Sequence, residues 1–145
     1  MERSAGMETV RLVEKLESSD SIDDYLDAFG EYCSEAFSFS ECFQELFEKK
    51  KLKKMEVLDR AHIERVYGHE IIRGKKNPSR DKVLLMSFGM LLTVPETQML
   101  LRHSGHSPLT PKVRRDAVIL FALAHGVNWS DMNELLMDND LPELV

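Results

Sequence analysis

Arg65-Val-Tyr-Gly-His-Glu-Ile-Ile-Arg-Gly-Lys-Lys-Asn-Pro-Ser79 sets the architecture of this chain. The run reads as the end of one helix, a basic turn, and the start of another. Gly74 stands where a helix C-terminus takes its left-handed residue. Pro78 forbids continuation. Ser79 is the cap of the next helix, and Asp81 falls in its first turn, where the helix dipole favours an anion. Lysines beside a helix N-terminus can be held against a phosphate backbone.

The charge around this segment is uneven. The chain has 145 residues and a net charge of −6. Residues 1–48 carry −10, residues 49–82 carry +7, and residues 83–145 carry −3. A surface that is acidic overall argues against indiscriminate nucleic-acid binding, whereas a local basic patch is what a phosphate-contacting face requires. The length suits one core that needs no staples. No apolar run approaches the roughly 18 residues of a membrane span, and the first residues lack the apolar region of a secretory signal. No membrane partner is expected. Cys33 and Cys42 lie among aromatics without metal or redox spacing, so they read as reduced core residues of a cytoplasmic protein.

Strand signals are nearly absent and helical periodicity runs almost throughout, so the fold class expected is all-α. Val10, Val13 and Leu16 form one amphipathic stripe. Ser21 or Asp20 caps a second helix bearing Tyr25, Leu26, Phe29 and Tyr32, and Ser38 or Ser40 caps a third with Phe43, Leu46 and Phe47 inward. Met55 to about Arg60 is a short helix, and Arg65–Arg73 follows it after a turn at 61–64. The helix Arg80–Leu92 is apolar nearly all round, hence central. Thr93-Val-Pro-Glu96 is a capping box with an early proline. Thr110-Pro111 starts a helix that Gly126 stops, and Asn128 caps the last one. The acidic tail from Asp138 is expected to fray.

Residues repeat at an offset of 35. Arg80-Asp81 matches Arg115-Asp116, Val83 and Leu85 match Val118 and Leu120, and Thr93 and Glu96 fall opposite Asn128 and Asp131. Each copy is a long apolar helix, a capped turn and a short helix. Two copies are too few for a solenoid, which leaves one helical hairpin packed beside a similar one.

A pair of helices joined by a tight turn reads DNA by laying its second helix in the major groove. Here 55–60 would brace and 65–73 would read. The chain resembles the Cro/C1-type (XRE, lambda-repressor-like) helix-turn-helix family over about residues 38–103. The resemblance rests on Arg73-Gly74-Lys75, Pro78-Ser79 and the Leu/Val pattern after them. It implies a lambda-repressor-like helix-turn-helix core extended by N-terminal helices and a C-terminal helical hairpin. The divisions are 1–37, 38–105 and 106–145. It also implies a non-enzymatic transcriptional regulator that binds duplex DNA without a cofactor. Carried over, base-reading falls to Glu64, Arg65, Tyr67, His69 and Glu70. Phosphate contacts fall to Lys53, Lys54, Arg73, Lys75, Lys76, Asn77, Ser79 and Arg80. The sequence departs from the family pattern at four places. His62 replaces the turn glycine, and histidine tolerates the left-handed region better than most residues. Gly68 replaces an apolar residue, which is expected to remove a core contact. Leu58 replaces a small alanine. Glu64 and Glu70 bring carboxylates near phosphates, though a carboxylate can accept from cytosine N4.

A protein-interaction adaptor on the same scaffold is the alternative. The hairpin at 106–137 is a candidate surface for a homodimer, and a regulatory protein partner is a second option. His103-Ser-Gly-His106 has no carboxylate or cysteine near it in sequence, so no metal is expected there, and no Ser-His-Asp or Cys-His pattern suggests catalysis.

Overall fold

The computed structural model describes residues 9–29 and 39–145. Among these residues the chain is all helical, with nine helices and no strand. Cys33, Tyr32 and the Ser38 cap lie outside the described residues. The helices are α1 (Thr9–Ser18), α2 (Ile22–Phe29), α3 (Phe39–Lys50), α4 (Lys54–Ala61), α5 (Arg65–Ile72), α6 (Arg80–Gly89), α7 (Val94–His103), α8 (Arg114–His125) and α9 (Trp129–Asp138). The chain divides into two compact units, 1–37 and 38–145.

In the first unit, α1 and α2 pack together, with the Tyr25 and Phe29 rings 5.5 Å apart. Ser21 caps α2 by accepting from Asp24 N. The Val10, Val13 and Leu16 stripe is exposed, and α2 contributes no buried residue.

The second unit is built around α6. Every residue from Val83 to Met90 is buried, which explains why this helix lacks a polar face. α4 runs along α6, α3 packs on α7, and α5 seats on α3 and α4. Gly89 makes the α4–α6 approach possible: a Cβ there would overlap the Val57 carbonyl and crowd Ala61. Arg60 then reaches across and donates from Nε to the Gly89 carbonyl at 2.8 Å.

α6 is shorter than its apolar run suggests. It ends at Gly89, and Leu91 adopts a left-handed conformation (φ 56°). The turn lets Leu92 N close back on the Ser87 carbonyl and delivers Thr93 as the α7 cap. There the Thr93–Glu96 capping box forms in both directions. α8 begins at Arg114 rather than at Thr110. Thr110 Oγ1 accepts from Lys112 N in a tight turn instead, and its own N–H is held by Asp116.

The 35-residue repeat governs the C-terminal half. Arg80 donates from Nη1 and Nη2 to both oxygens of Asp116 (3.1 and 2.9 Å), while Arg115 does the same to Asp81 (2.9 and 3.1 Å). The pairing is reciprocal, the mark of two units related by a local twofold. Each arginine also holds the loop that closes its own unit. Arg80 donates to Ser107 O and Pro108 O, and Arg115 to Pro142 O and Glu143 O. Gln98 clamps both backbone groups of Leu109, and Asn133 clamps those of Leu144. The left-handed residues correspond as well: Leu91 with Gly126, and Gly105 with Asp140.

These contacts overturn the frayed tail. Leu144 is fully buried, its carbonyl also accepts from Trp129 Nε1 at 3.0 Å, and Arg115 grips the two residues before it. One buried leucine outweighs the polar composition around it.

Candidate nucleic-acid interface

α4 ends at His62, which sits in the left-handed region (φ 56°, ψ 41°) and donates its N–H to the Asp59 carbonyl. The turn glycine is therefore dispensable here. The His62 ring lies flat on Trp129, with centroids 3.8 Å apart and an interplanar angle of 20°. That contact ties the α4–α5 turn to the second repeat.

Glu64 is the N-cap of α5. Oε2 accepts from Val66 N at 2.7 Å and Oε1 from Tyr67 N at 3.2 Å. These backbone hydrogen bonds lower its carboxyl pKa. The side chain is thus folded onto its own helix rather than held out as a base-reading group.

Gly68 does not cost a core contact. Leu58 occupies the space in front of it, and a Cβ on Gly68 would overlap the Leu58 side chain. Leu58 is 1% exposed. The large residue on α4 and the absent side chain on α5 are complementary halves of one packing solution, and Ile71 and Ile72 complete the buried face of α5.

The opposite face of α5 is open. Arg65, Val66, His69, Glu70 and Arg73 follow i, i+1, i+4, i+5 and i+8 spacing and share that side. Arg65, Val66 and Arg73 are exposed, while His69 and Glu70 are half-buried. Tyr67 is also half-buried, with the Lys82 ammonium 6.0 Å from its ring centroid. Val66, at 66% exposure, escapes a reading based on polar residues. The signal that finds it is its position opposite Ile71 and Ile72.

After α5, Gly74 (φ 81°) turns the chain, and Lys75 N donates to the Glu70 carbonyl at 2.8 Å. Gln44 Nε2 holds the Ile72 carbonyl at 2.9 Å. His106 Nε2 lies 2.8 Å from the Pro78 carbonyl and, since a carbonyl only accepts, carries the proton. His106 is a strut for the loop. Among the described residues no cluster of histidine, cysteine or carboxylate fits a metal. Arg73, Lys75, Lys76 and Asn77 are exposed along this braced loop. Ser79 caps α6 by accepting from Lys82 N at 3.2 Å.

Arg80 leaves the phosphate-binding set. All three of its guanidinium nitrogens are committed to Asp116, Ser107 and Pro108. Its partner lies 36 residues further on, so a basic segment viewed locally cannot reveal it. Lys53, Lys54, Arg65, Arg73, Lys75 and Lys76 form no ion pair among the described residues. Lys50 does, at 3.2 Å from Glu96. Burial pushes the Glu96 carboxyl up, but hydrogen bonds from Thr93 and Lys50 outweigh it and leave the pKa lowered. Cys42 is buried, and burial pushes its thiol up to about 11.

No protein-family model, curated protein or solved structure matches the chain.

Proposed function

We propose that the protein is a non-enzymatic transcriptional regulator that binds duplex DNA. In this reading α4 and α5 act as a lambda-repressor-like helix-turn-helix. The observation that carries it is the coincidence of two features. α5 presents one uncovered face, and the braced loop that follows it holds cations with no acidic partner among the described residues. Cations kept free in a chain of net charge −6 are suited to neutralising phosphates.

Arg65, Tyr67, His69 and Glu70 then face base edges, with Val66 available to a thymine methyl. Lys53, Lys54, Arg73, Lys75, Lys76, Asn77 and Ser79 lie on the backbone side and set the register. Glu64 contributes by capping α5. Fluorescence anisotropy with random-sequence duplex at about 50 and 200 mM salt tests the reading, because phosphate contacts make affinity fall steeply with salt. Affinity that is absent at the lower salt, or flat between the two, would sink it. Arg65→Ala is expected to reduce discrimination between duplex sequences more than it reduces overall affinity.

A second reading, a homodimeric interaction adaptor, draws on the outer face of the α8–α9 hairpin. Phe121 is 53% exposed there beside Ala117, Val118 and Leu135. In the first repeat the matching Met86, Val83 and Leu100 are buried beneath helices of this chain. Sedimentation decides this: a dimer that Phe121→Glu splits supports it, and a monomer at high concentration removes it.

A further inference from the structure

A cavity of about 520 Å³ opens between the C-terminal ends of α4 and α6 and the α8–α9 turn. Its size lies within the roughly 300–1,000 Å³ of small-molecule sites. Phe88, Leu92, Ala122, Leu123 and Val127 supply an apolar lining, and the stacked His62 and Trp129 rings form one wall. Trp129 is held in that wall by a hydrogen bond from its Nε1 to the Leu144 carbonyl at 3.0 Å.

Arg60, Ser87, Thr93, Asn128 and Ser130 bring polar side chains to the cavity; the Ser87 hydroxyl is spent on the Val83 carbonyl, and Thr93 Oγ1 accepts from Glu96 N. Arg60 is half-buried, and its Nε is spent on the Gly89 carbonyl. Its two Nη groups have no hydrogen-bond or ion-pair partner among the described residues. Asn128 accepts from Asp131 N through Oδ1, which leaves its amide N–H₂ as a donor. Among the described residues no acidic side chain lines the cavity. A guanidinium with two uncommitted Nη groups beside an apolar space suits an anion, and its planar fork matches a carboxylate in particular.

Leu91 supplies an independent observation. It lines the cavity, is 63% exposed, and holds a left-handed backbone. Its counterpart in the second repeat is Gly126, which meets the same conformation without strain. A bulky apolar residue placed in that region and left in solvent is an outlier that points to function. At the mouth of this cavity it offers apolar contact to an occupant.

We propose that the cavity is a binding site for a small aromatic carboxylate. Arg60 pairs with the carboxylate, and Leu91 and the His62–Trp129 wall pack against the ring. The site goes beyond the DNA-binding reading and stands independently of it.

The chain has one tryptophan, so its indole N–H gives one NMR cross-peak, and that residue is Trp129. The full chain is titrated with 2-naphthoate and with the isosteric neutral 2-naphthamide. A saturable shift of the indole peak is expected for both, with the acid about ten-fold tighter, since a hydrogen-bonded charge is worth roughly that factor. Arg60→Met is expected to erase the preference for the acid. Leu91→Gly, which relieves the backbone and so keeps the fold, is expected to weaken both ligands. No saturable shift in the wild-type chain would overturn the site. Equal affinity for acid and amide would overturn the anion assignment. Unchanged affinity in Leu91→Gly would overturn the role of that side chain.

Discussion

The two 35-residue repeats share a skeleton and differ in their cover. Both use an arginine to clasp the other repeat's aspartate and their own closing loop. Both use a side-chain amide to hold the final leucine. Yet the outer face of the first is buried under α3–α5, while that of the second lies open at Phe121. The repeated polar residues thus encode the hairpin itself. Whether its outer face becomes core depends on what the rest of the chain lays over it.

The largest effect is expected at the paired clasps. The Asp116 side chain is 6% exposed, whereas that of Asp81 is 39% exposed. Arg80→Met strands a buried carboxylate and should cost about 3–5 kcal/mol. Arg115→Met leaves Asp81 to water and should cost about 1 kcal/mol. Urea unfolding of the two variants measures the difference, and equal losses would mean that the repeats are equally buried at this point.

Next come the matched apolar positions. Met86→Ala should cost about 2–5 kcal/mol through an unfilled cavity. Phe121→Ala should cost less than about 1 kcal/mol in the monomer, because much of its surface already meets water. A large loss for Phe121→Ala that depends on protein concentration would show that the face is covered in solution.

A smaller effect separates the two left-handed turns. Leu91→Gly should stabilise by about 1 kcal/mol, and Gly126→Leu should destabilise by at least that much. Thermal midpoints moving in the same direction would contradict the equivalence of the turns.

The smallest effect is one of pH. Glu96 has a lowered folded pKa, so its contribution is present above the ordinary value of 4.5 and is lost as pH falls through the folded value. Its counterpart Asp131 has no lysine partner among the described residues. Glu96→Gln should lessen the loss of stability as pH falls below 4.5. An unchanged loss in Glu96→Gln would assign the acid sensitivity elsewhere.

Much of this framework was legible in the sequence, because short-range chemistry encodes it. Ser79, Thr93 and Asn128 cap the helices that their spacing announces. Arg80-Asp81 and Arg115-Asp116 announce the repeat, though not that each arginine would pair with the other copy's aspartate. What escaped was encoded across distance or without the usual residue. Leu91 stops α6 in a conformation that normally calls for glycine, so by its apolar run alone the segment reads as continuous helix. Leu58 and Gly68 look like two separate departures until they meet across α4 and α5. Glu64 is an unusual cap: the family pattern carries its position over to base reading, whereas its carboxylate bonds the first turn of its own helix. Arg60 and Leu91 carry no linear motif, and only folding brings them to one cavity.

Lys75 and Lys76, both exposed on the braced loop, are the cations most central to the proposed DNA binding. The slope of log affinity against log salt for random duplex, compared between the wild-type chain and Lys75→Ala/Lys76→Ala, reads their role. Two lost phosphate contacts should reduce the magnitude of that slope by about 1.8, at roughly 0.9 per contact. An identical slope in both proteins would contradict the assignment of this loop to the DNA backbone.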